Sequence, residues 1–245
     1  MEPNGPALGD AVGASFKAFW EQEATDACLL VERDDGFISC DPVGAYFSGW
    51  SDLEAAGADR IGHRVLDIGA GAGRHTIELQ DRGHEVLALD TSPGALEVCR
   101  SRGVESVFVG TAADLAATRP EPFDTLLLFG HNLGLLGSPD AAEEFLTALK
   151  ALCRHGGVVV GTGRDPSRTE DPLHLAYHER NIAAGRMPGQ LHLRLRWRNT
   201  ATEWFDLLLA SPRDLEDLIR PHGWSIADRA LDGPSYLAVL RPPPD

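Results

Sequence analysis

Hydrophobic and polar positions between residues 64 and 163 form two kinds of segment that alternate regularly. Short runs that are apolar throughout alternate with longer segments that begin at Ser-Pro or a glycine turn and end at glycine, as helices do. Apolar strands separated by helices are typical of a parallel sheet that is covered on both faces. The strands predicted in this way are 64–68, 85–90, 106–110, 123–130 and 157–163.

The pattern changes after residue 163 to a strict alternation. In 191–198 leucine or tryptophan alternates with histidine or arginine, which gives a strand one apolar and one polar face. With the run 202–210 it predicts an antiparallel hairpin, followed by a helix over 211–224 and two closing strands. Residues 1–60 form a separate piece, with a helix in 16–22 and an Asp-Gly hairpin in 31–39.

Composition and charge narrow the classes of function. The formal net charge is −15, which argues against nucleic acid as a partner because phosphate binding needs a basic face. The four cysteines lie far apart without a C-x-x-C pair, so neither a disulfide framework nor a zinc site is expected. Without a signal peptide or a long apolar run, we expect a cytoplasmic protein that does not enter the membrane.

A glycine-rich stretch, VLDIGAGAGRH at 65–75, follows the first strand and indicates a nucleotide cofactor. Its spacing is G-x-G-x-G, whereas a nicotinamide or flavin dinucleotide site needs G-x-G-x-x-G. Asp67 stands in the strand itself, where a carboxylate suits a cationic ligand better than a pyrophosphate. Asp90 ends the next strand and can accept both hydroxyl hydrogens of a ribose. Together these residues favour a sulfonium nucleoside.

The motifs VLDIGAGAGRH, LALD, GTAADL, FDTLLLFGHN and GGVVVGTG, in this order, resemble those of class I S-adenosylmethionine-dependent methyltransferases. The resemblance implies an α/β fold with a Rossmann-like sheet of seven strands, mostly parallel with the last antiparallel. Residues 61–162 and 211–241 would form the S-adenosylmethionine-binding core. Residues 1–60 would be an N-terminal cap, and 163–210 an inserted antiparallel hairpin lid.

The resemblance also implies positions for the cofactor, S-adenosyl-L-methionine. The methionine part would contact Asp67, Gly69, Ala70, Gly71 and Gly73, and the ribose would contact Asp90. The adenine edge would face Thr111 and Ala112, with Asp114 replacing the acid that the family often has at position 111. Gly130, His131 and Asn132 would lie beside the sulfonium and the acceptor.

Several side chains carry a catalytic and a structural interpretation. His131 would be a general base or only a positioning residue, and Asn132 a ligand contact or a structural residue. Arg194 and Arg196 would hold an acidic acceptor, or form a solvated face paired with Glu203, Asp206 or the acidic N-terminal segment. Tyr46 would close over the ligand or belong to the core.

The predicted function is transfer of the methyl group to an oxygen or nitrogen atom of a small-molecule acceptor by in-line displacement. The alternative is a protein that binds the cofactor without transferring its methyl group, as a sensor or assembly partner. Residues 1–60 hold 12 acidic and 3 basic side chains, and 163–200 hold 4 and 7, so we expect the two pieces to meet over the acceptor. Pairing with the same hairpin of a second copy, in a homodimer, is the alternative.

Overall fold

The computed structural model describes residues 6–244 of the chain. Its strands are β1 (Ala7–Leu8), β2 (Cys28–Arg33), β3 (Ile38–Pro42), β4 (Arg64–Ile68), β5 (Glu85–Asp90), β6 (Val107–Val109), β7 (Phe123–Leu128), β8 (Cys153–Arg164), β9 (Gln190–Trp197), β10 (Thr200–Ala201), β11 (Phe205–Leu208), β12 (Ser225–Asp232) and β13 (Ser235–Arg241). Its α-helices are α1 (Ala11–Trp20), α2 (Asp52–Ala55), α3 (Arg74–Asp81), α4 (Pro93–Ser101), α5 (Ala112–Ala117), α6 (Pro139–Leu152), α7 (Pro172–Ala183) and α8 (Pro212–Ile219).

A seven-stranded sheet forms the core, in the order β12-β13-β8-β7-β4-β5-β6. Strands β4 to β8 pair in parallel, and β13 pairs antiparallel with both β8 and β12. The predicted α/β class with a mostly parallel seven-stranded sheet is confirmed; the predicted hairpin lid is not. Because the strands are parallel, β4, β5 and β7 all end at one edge, which is where ligands bind in open α/β sheets.

A second sheet joins the two segments that were predicted to lie outside the core, 1–60 and 163–210. Its order is β1-β10-β9-β2-β3, with β11 paired to β9 beside β10. The alternating run forms β9 and pairs antiparallel with β11, but its other edge pairs with β2, so that Val31 lies opposite Leu195. The segments 1–60 and 163–210 therefore share one sheet, and the inserted strands do not form a free hairpin.

Three helices, α2, α5 and α7, were not predicted from the sequence. The residues before α5 and α7, Thr111 and Asp171, each cap the helix with a side-chain oxygen. In α7 only Tyr177 and Asn181 are buried, so the helix lacks the apolar periodicity by which a buried face is recognised.

Helix α1 packs closely on α4. A Cβ atom on Gly13 would lie 2.5 Å from the Cα of Gly94, so the crossing needs glycine on both helices. The Asp10 carboxylate caps both, because it accepts the N–H of Gly13 at 2.8 Å and that of Gly94 at 2.9 Å. Phe16, on α1, is fully buried in a hydrophobic cluster with Ala72, Ala95 and Val98.

The prediction that the cysteines form no disulfide is wrong for one pair. Cys28 on β2 and Cys40 on β3 are joined by a disulfide bond, with their Cα atoms 5.6 Å apart. The turn between the two strands brings together cysteines that are 12 positions apart, and a pair with this spacing does not form a short motif such as C-x-x-C. Cys99 and Cys153 are free thiols.

Among residues 6–244 we find no helix with both the length and the apolar character that crossing a membrane requires.

Candidate functional site

The glycine turn after β4 has a left-handed backbone at every second residue, with φ of 74° at Gly69, 57° at Gly71 and 79° at Gly73. A Cβ on Gly69 would lie 2.5 Å from the Asn132 amide nitrogen, and one on Gly73 would lie 2.9 Å from a methyl group of Val104. At Gly71 the nearest atom would be 3.5 Å away. The outer glycines are needed for close packing, whereas a Cβ on the middle one would be in ordinary contact with the Phe16 and Tyr46 rings, and its left-handed backbone favours glycine.

Asp90, at the end of β5, holds this turn in place. One carboxylate oxygen accepts the Gly71 N–H at 2.9 Å, and the other accepts the Ser92 N–H at 2.8 Å. Burial raises the pKa of Asp90, and these two hydrogen bonds oppose the shift. A carboxylate has about four acceptor positions, so each oxygen retains a lone pair for a hydroxyl group.

Asp67 is more enclosed than the prediction implied. Its side chain is buried and accepts the Thr76 hydroxyl at 2.7 Å. Burial raises its pKa, while the neighbouring His75 and the Thr76 hydroxyl lower it. Contact between Asp67 and the methionine part of the cofactor stays a prediction.

Asn132 and Ala70 fix the turn from both sides. The Asn132 amide donates to the carbonyl oxygens of Ile68 at 3.0 Å and Gly69 at 3.1 Å. The Ala70 N–H donates to the Leu89 carbonyl at 3.0 Å. Both amide hydrogens of Asn132 are thus engaged with the backbone, and only its oxygen is left for a ligand.

His131 follows β7 in a strained conformation. Its φ is 66°, directly after Gly130 at 68°, which is uncommon for a residue with a side chain. Its N–H donates to the Thr162 hydroxyl at 2.9 Å, and its Nε2 lies 3.1 Å from the Ser235 hydroxyl. Burial lowers its pKa, and the Arg164 charge lowers it further. The ring is neutral at neutral pH, as a base must be.

Thr111, Ala112 and Asp114 lie at the start of α5, after β6. The Thr111 side chain caps the helix, and Asp114 accepts both the N–H and the hydroxyl of Thr111, at 2.9 and 2.7 Å. This capping box accounts for both polar side chains. Contact with adenine at these positions stays a prediction.

Tyr46 lies beside Gly71, the middle glycine of the turn. A ring carbon is 3.9 Å from the position of a Cβ on Gly71, and the ring packs on Phe16 with 4.9 Å between centroids. Its hydroxyl is 3.4 Å from the Asp41 carboxylate, whose pKa burial raises. The N-terminal segment therefore reaches the turn with both aromatic rings.

Arg194 and Arg196 are engaged by the acidic N-terminal segment. Arg194 donates to both carboxylate oxygens of Glu32 at 2.8 and 3.0 Å, and Arg196 donates to one at 3.1 Å. This is the ion-paired arrangement that the sequence left open as the alternative. An acidic acceptor would compete with Glu32, and such a role stays a prediction.

The sequence analysis missed Glu54, whose carboxylate contacts Arg74, His75 and the Gly130 N–H. The only signal was the capping box formed by Ser51 and Glu54, which says nothing about the distant partners. It also missed Ser235, which reaches His131 from the last strand.

The residues at this edge fit S-adenosylmethionine. Gly71 presents no side chain beneath the Phe16 and Tyr46 rings, Asp90 offers free acceptor positions for hydroxyl groups, and the carboxylates of Asp67 and Asp90 suit a cation. Within residues 6–244, no group of three or more histidine, cysteine or acidic side chains is arranged to hold a metal ion.

Comparison with known proteins finds similarity to methyltransferases. Residues 65–157 match the family model described as a methyltransferase domain. The ubiquinone biosynthesis O-methyltransferase of Ruegeria pomeroyi is 28% identical over 193 residues, 74% of each chain. That of Xylella fastidiosa is 32% identical over 108 residues, 35% of this chain and 44% of the relative. The chain therefore spans less than half the length of this second relative.

A similar solved structure is an S-adenosylmethionine-dependent methyltransferase from Bacteroides fragilis in complex with S-adenosyl-L-homocysteine. It is 26% identical, with a TM-score of 0.80 over 97% of both chains. The similarity therefore extends beyond the seven-stranded sheet and includes the second sheet and α1.

Proposed function

The chain belongs to the class I S-adenosylmethionine-dependent methyltransferases, and from this membership we propose that it methylates an oxygen or nitrogen atom of a small-molecule acceptor. The observation that carries the proposal is the cover over the glycine turn. Phe16 and Tyr46 stand over Gly71, on a segment whose strand β2 is paired to β9. An acceptor must fit beneath this cover, which favours a small molecule over a protein or nucleic-acid surface.

Two further observations support a small acceptor. The net charge of −15 opposes binding to nucleic acid. The relatives from Ruegeria and Xylella are named as O-methyltransferases of ubiquinone biosynthesis, which supports oxygen on a small molecule as the methylated atom.

When bound, S-adenosylmethionine supplies an electrophilic methyl group on a sulfonium. The chain's own residues bind the cofactor, align it with the acceptor and cover both. Asp90 would accept hydrogen bonds from the ribose hydroxyls, the glycine turn carries no side chain in the way of the methionine part, and Asn132 holds that turn against the end of β7. Alignment of this kind is the main requirement for an in-line displacement.

His131 is the base in this proposal. Its neutral ring takes the proton that an acceptor hydroxyl or ammonium group loses as its oxygen or nitrogen becomes the nucleophile. The hydroxyls of Thr162 and Ser235 hold its backbone and ring at the carboxyl edge of the sheet. Since Nε2 faces Ser235, Nδ1 is the ring nitrogen left to face an acceptor.

The first test concerns Asp90. We expect Asp90→Ala to weaken S-adenosylhomocysteine binding by about 10-fold to 150-fold, because losing charge-assisted hydrogen bonds costs about 1.5–3 kcal/mol. Isothermal titration measures the dissociation constant, and circular dichroism verifies the fold. Asp81→Ala, which removes an exposed carboxylate at the far end of α3, away from the glycine turn, is the matched control. Unchanged affinity in a folded Asp90→Ala protein would mean that the ribose is held elsewhere.

The second test looks for transfer itself. The protein is incubated with methyl-labelled S-adenosylmethionine and fractionated extracts of small molecules, and label is followed into new products. The proposal expects a labelled product with the wild-type protein and, at a cofactor concentration below the dissociation constant of the variant, much less with Asp90→Ala. Tight S-adenosylhomocysteine binding without any labelled product would favour a sensor or assembly partner.

A further inference from the structure

Glu54 lies far from the glycine turn in the sequence but between the two main loops of the cofactor site in the structure. It belongs to α2, a helix of one turn in the N-terminal segment, and its side chain is only 4% exposed. A carboxylate this deeply buried requires several donors, since an unpaired buried charge is strongly destabilising.

The donors come from three separate segments of the chain. One Glu54 oxygen accepts from His75 Nε2 at 3.0 Å, from the Gly130 N–H at 3.3 Å and from an Arg74 guanidinium nitrogen at 2.5 Å. The other accepts from the Ser51 N–H at 2.8 Å and from Arg74 at 3.0 Å. Burial raises the pKa of Glu54, but the bonds from His75 and Arg74 outweigh it and hold the pKa well below its usual range.

Two of these segments are walls of the cofactor site. Arg74 and His75 open α3, directly after the glycine turn, and Gly130 precedes His131 at the end of β7. The Glu54 carboxylate therefore bonds to Arg74 and His75, which follow the glycine turn, and to the Gly130 backbone at the end of β7. The Asn132 amide already joins the end of β7 to the first residue of the glycine turn, and Glu54 adds a second link, to the first turn of α3.

We propose that Glu54 is a positioning residue for the cofactor, fixing the start of α3, at the far side of the glycine turn from Asn132, relative to the end of β7, so that the turn and the end of β7 both contact one bound S-adenosylmethionine. The proposal rests on the proposed function. If the link is cut, the two loops sample other separations, and binding must restore the productive one. Affinity for the cofactor then falls, which loss of an ordinary buried ion pair would not cause.

The experiment compares two substitutions with similar partners at opposite edges of the sheet. Glu54→Gln removes the charge at the cofactor edge. Asp124→Asn is the matched control, because Asp124 also accepts from a backbone N–H, that of Arg64 at 2.8 Å, and from a guanidinium, that of Arg154. Asp124 lies where β7 begins, at the edge away from the glycine turn.

We expect Glu54→Gln to raise the dissociation constant for S-adenosylhomocysteine about 10-fold or more, and Asp124→Asn to change it less than about twofold. In turnover, the KM for S-adenosylmethionine rises in Glu54→Gln more than kcat falls. Thermal unfolding is recorded for each protein, so that affinities are compared only where the protein is folded. Glu54→Asp is a second variant, which keeps the charge beside Arg74 but is one methylene too short to reach Gly130 as well. We expect it to fold and to lose affinity too.

Each result decides between distinct conclusions. Wild-type affinity in both folded Glu54 variants would overturn the positioning role and leave Glu54 a structural ion pair, whatever the loss in thermal stability. Equal losses of affinity in Glu54→Gln and Asp124→Asn would overturn it as well. A wild-type protein that does not bind S-adenosylhomocysteine at all would instead contradict the proposed function.

Discussion

His131 keeps a left-handed backbone conformation because hydroxyl groups hold it from two directions. Thr162, on β8, accepts its N–H, and Ser235, at the start of β13, bonds to its ring. Such a conformation costs about 1–3 kcal/mol and persists where the surroundings enforce it, most often at functional sites. Three strands, β7, β8 and β13, thus fix the orientation of one imidazole.

This geometry predicts how activity depends on pH. If neutral His131 is the base, kcat/KM falls as the pH drops through its pKa and the ring takes up a proton. Burial and the charges of Arg164 and Arg74 lower this pKa, and Glu54 raises it, with a lowered pKa as the net result. The midpoint of the decline should therefore lie below the ordinary histidine value of about 6.5.

Steady-state kinetics between about pH 5 and pH 9 measure the profile. His131→Gln should lower the rate and remove the acidic decline, whereas His155→Gln, at the opposite edge of the sheet, should change neither. A full rate with the same decline in His131→Gln would show that no catalytic proton passes through His131.

Single residues of the site differ in how well the sequence reveals them. Gly69, Gly71, Gly73 and Asp90 follow from strand ends and glycine spacing, because parallel strands end at one edge. Glu54 and Ser235 do not, since each reaches the site from a segment about 75 or 100 residues away in the chain. Arg194 was visible as a charge, but its partner Glu32 lies on another strand of the second sheet.

At the scale of elements, the contact between α1 and α4 decides where the N-terminal segment sits. The two helices cross at Gly13 and Gly94, Asp10 caps both, and Phe16 extends from the same helix toward the glycine turn. The sequence predicted a helix here but not its site of contact, because glycine in a helix indicates close packing without identifying the partner.

We predict that Gly13→Ala destabilises the protein by about 1–3 kcal/mol, the usual cost of overpacking, although alanine favours the helix by about 1 kcal/mol. The new methyl group would meet the Gly94 backbone, which cannot move aside as a side chain can. Urea unfolding measures the change. Gly44→Ala is the control in the same segment, since its methyl group would lie 3.4 Å from the nearest atom, on the Phe19 ring. Equal stability of Gly13→Ala and the wild type would contradict the tight crossing.

Other elements were predicted to different degrees. Helices that begin at Ser-Pro and end near glycine were found from these signals, as α4 and α6 show. Helix α7 was missed because its exposed leucines at 173 and 175 give no regular apolar face. The hairpin of β2 and β3 was expected, yet its disulfide was not.

At the scale of the whole molecule, the opposite charges of two segments agree with the way in which these segments assemble into the second sheet. Residues 1–60 carry a net charge of −9 and residues 163–200 one of +3, and the strands of these segments pair. Glu32 on β2 lies between Arg194 and Arg196 on β9. The charge difference seen in the sequence thus corresponds to a contact, although the sequence did not identify the strands that make it.

We predict that Glu32→Gln lowers the free energy of unfolding by about 1 kcal/mol at neutral pH, as for one charge-assisted network near a surface. The bond from Arg194 lowers the pKa of Glu32, opposed by burial, with Arg196 adding to the lowering. Stability from Glu32 is therefore present above its unfolded-state pKa, near 4.5, and is lost as the pH falls through its folded-state pKa.

Urea unfolding of both proteins at neutral and acidic pH measures this effect, and the difference between them should narrow in acid. Glu203→Gln, which the sequence also offered as a partner of these arginines, is the control and should change little. A difference that stays constant with pH would show that the charge of Glu32 is not what joins β2 to β9.

The shared sheet also sets an order of events during synthesis. Arg33 and its partner Leu193 are about 160 residues apart, so the amino-terminal hairpin leaves the ribosome long before β9 exists. Pairings between such distant segments form late, because the chain between them must first be brought into place. A nascent chain that ends before β9 already carries the glycine turn, Asp90, Glu54 and His131. It still lacks β9, which anchors the cover, and the strands β12 and β13 of the core sheet, with Ser235 that holds His131. The cofactor site and its cover are therefore both completed only once these later strands have been synthesised.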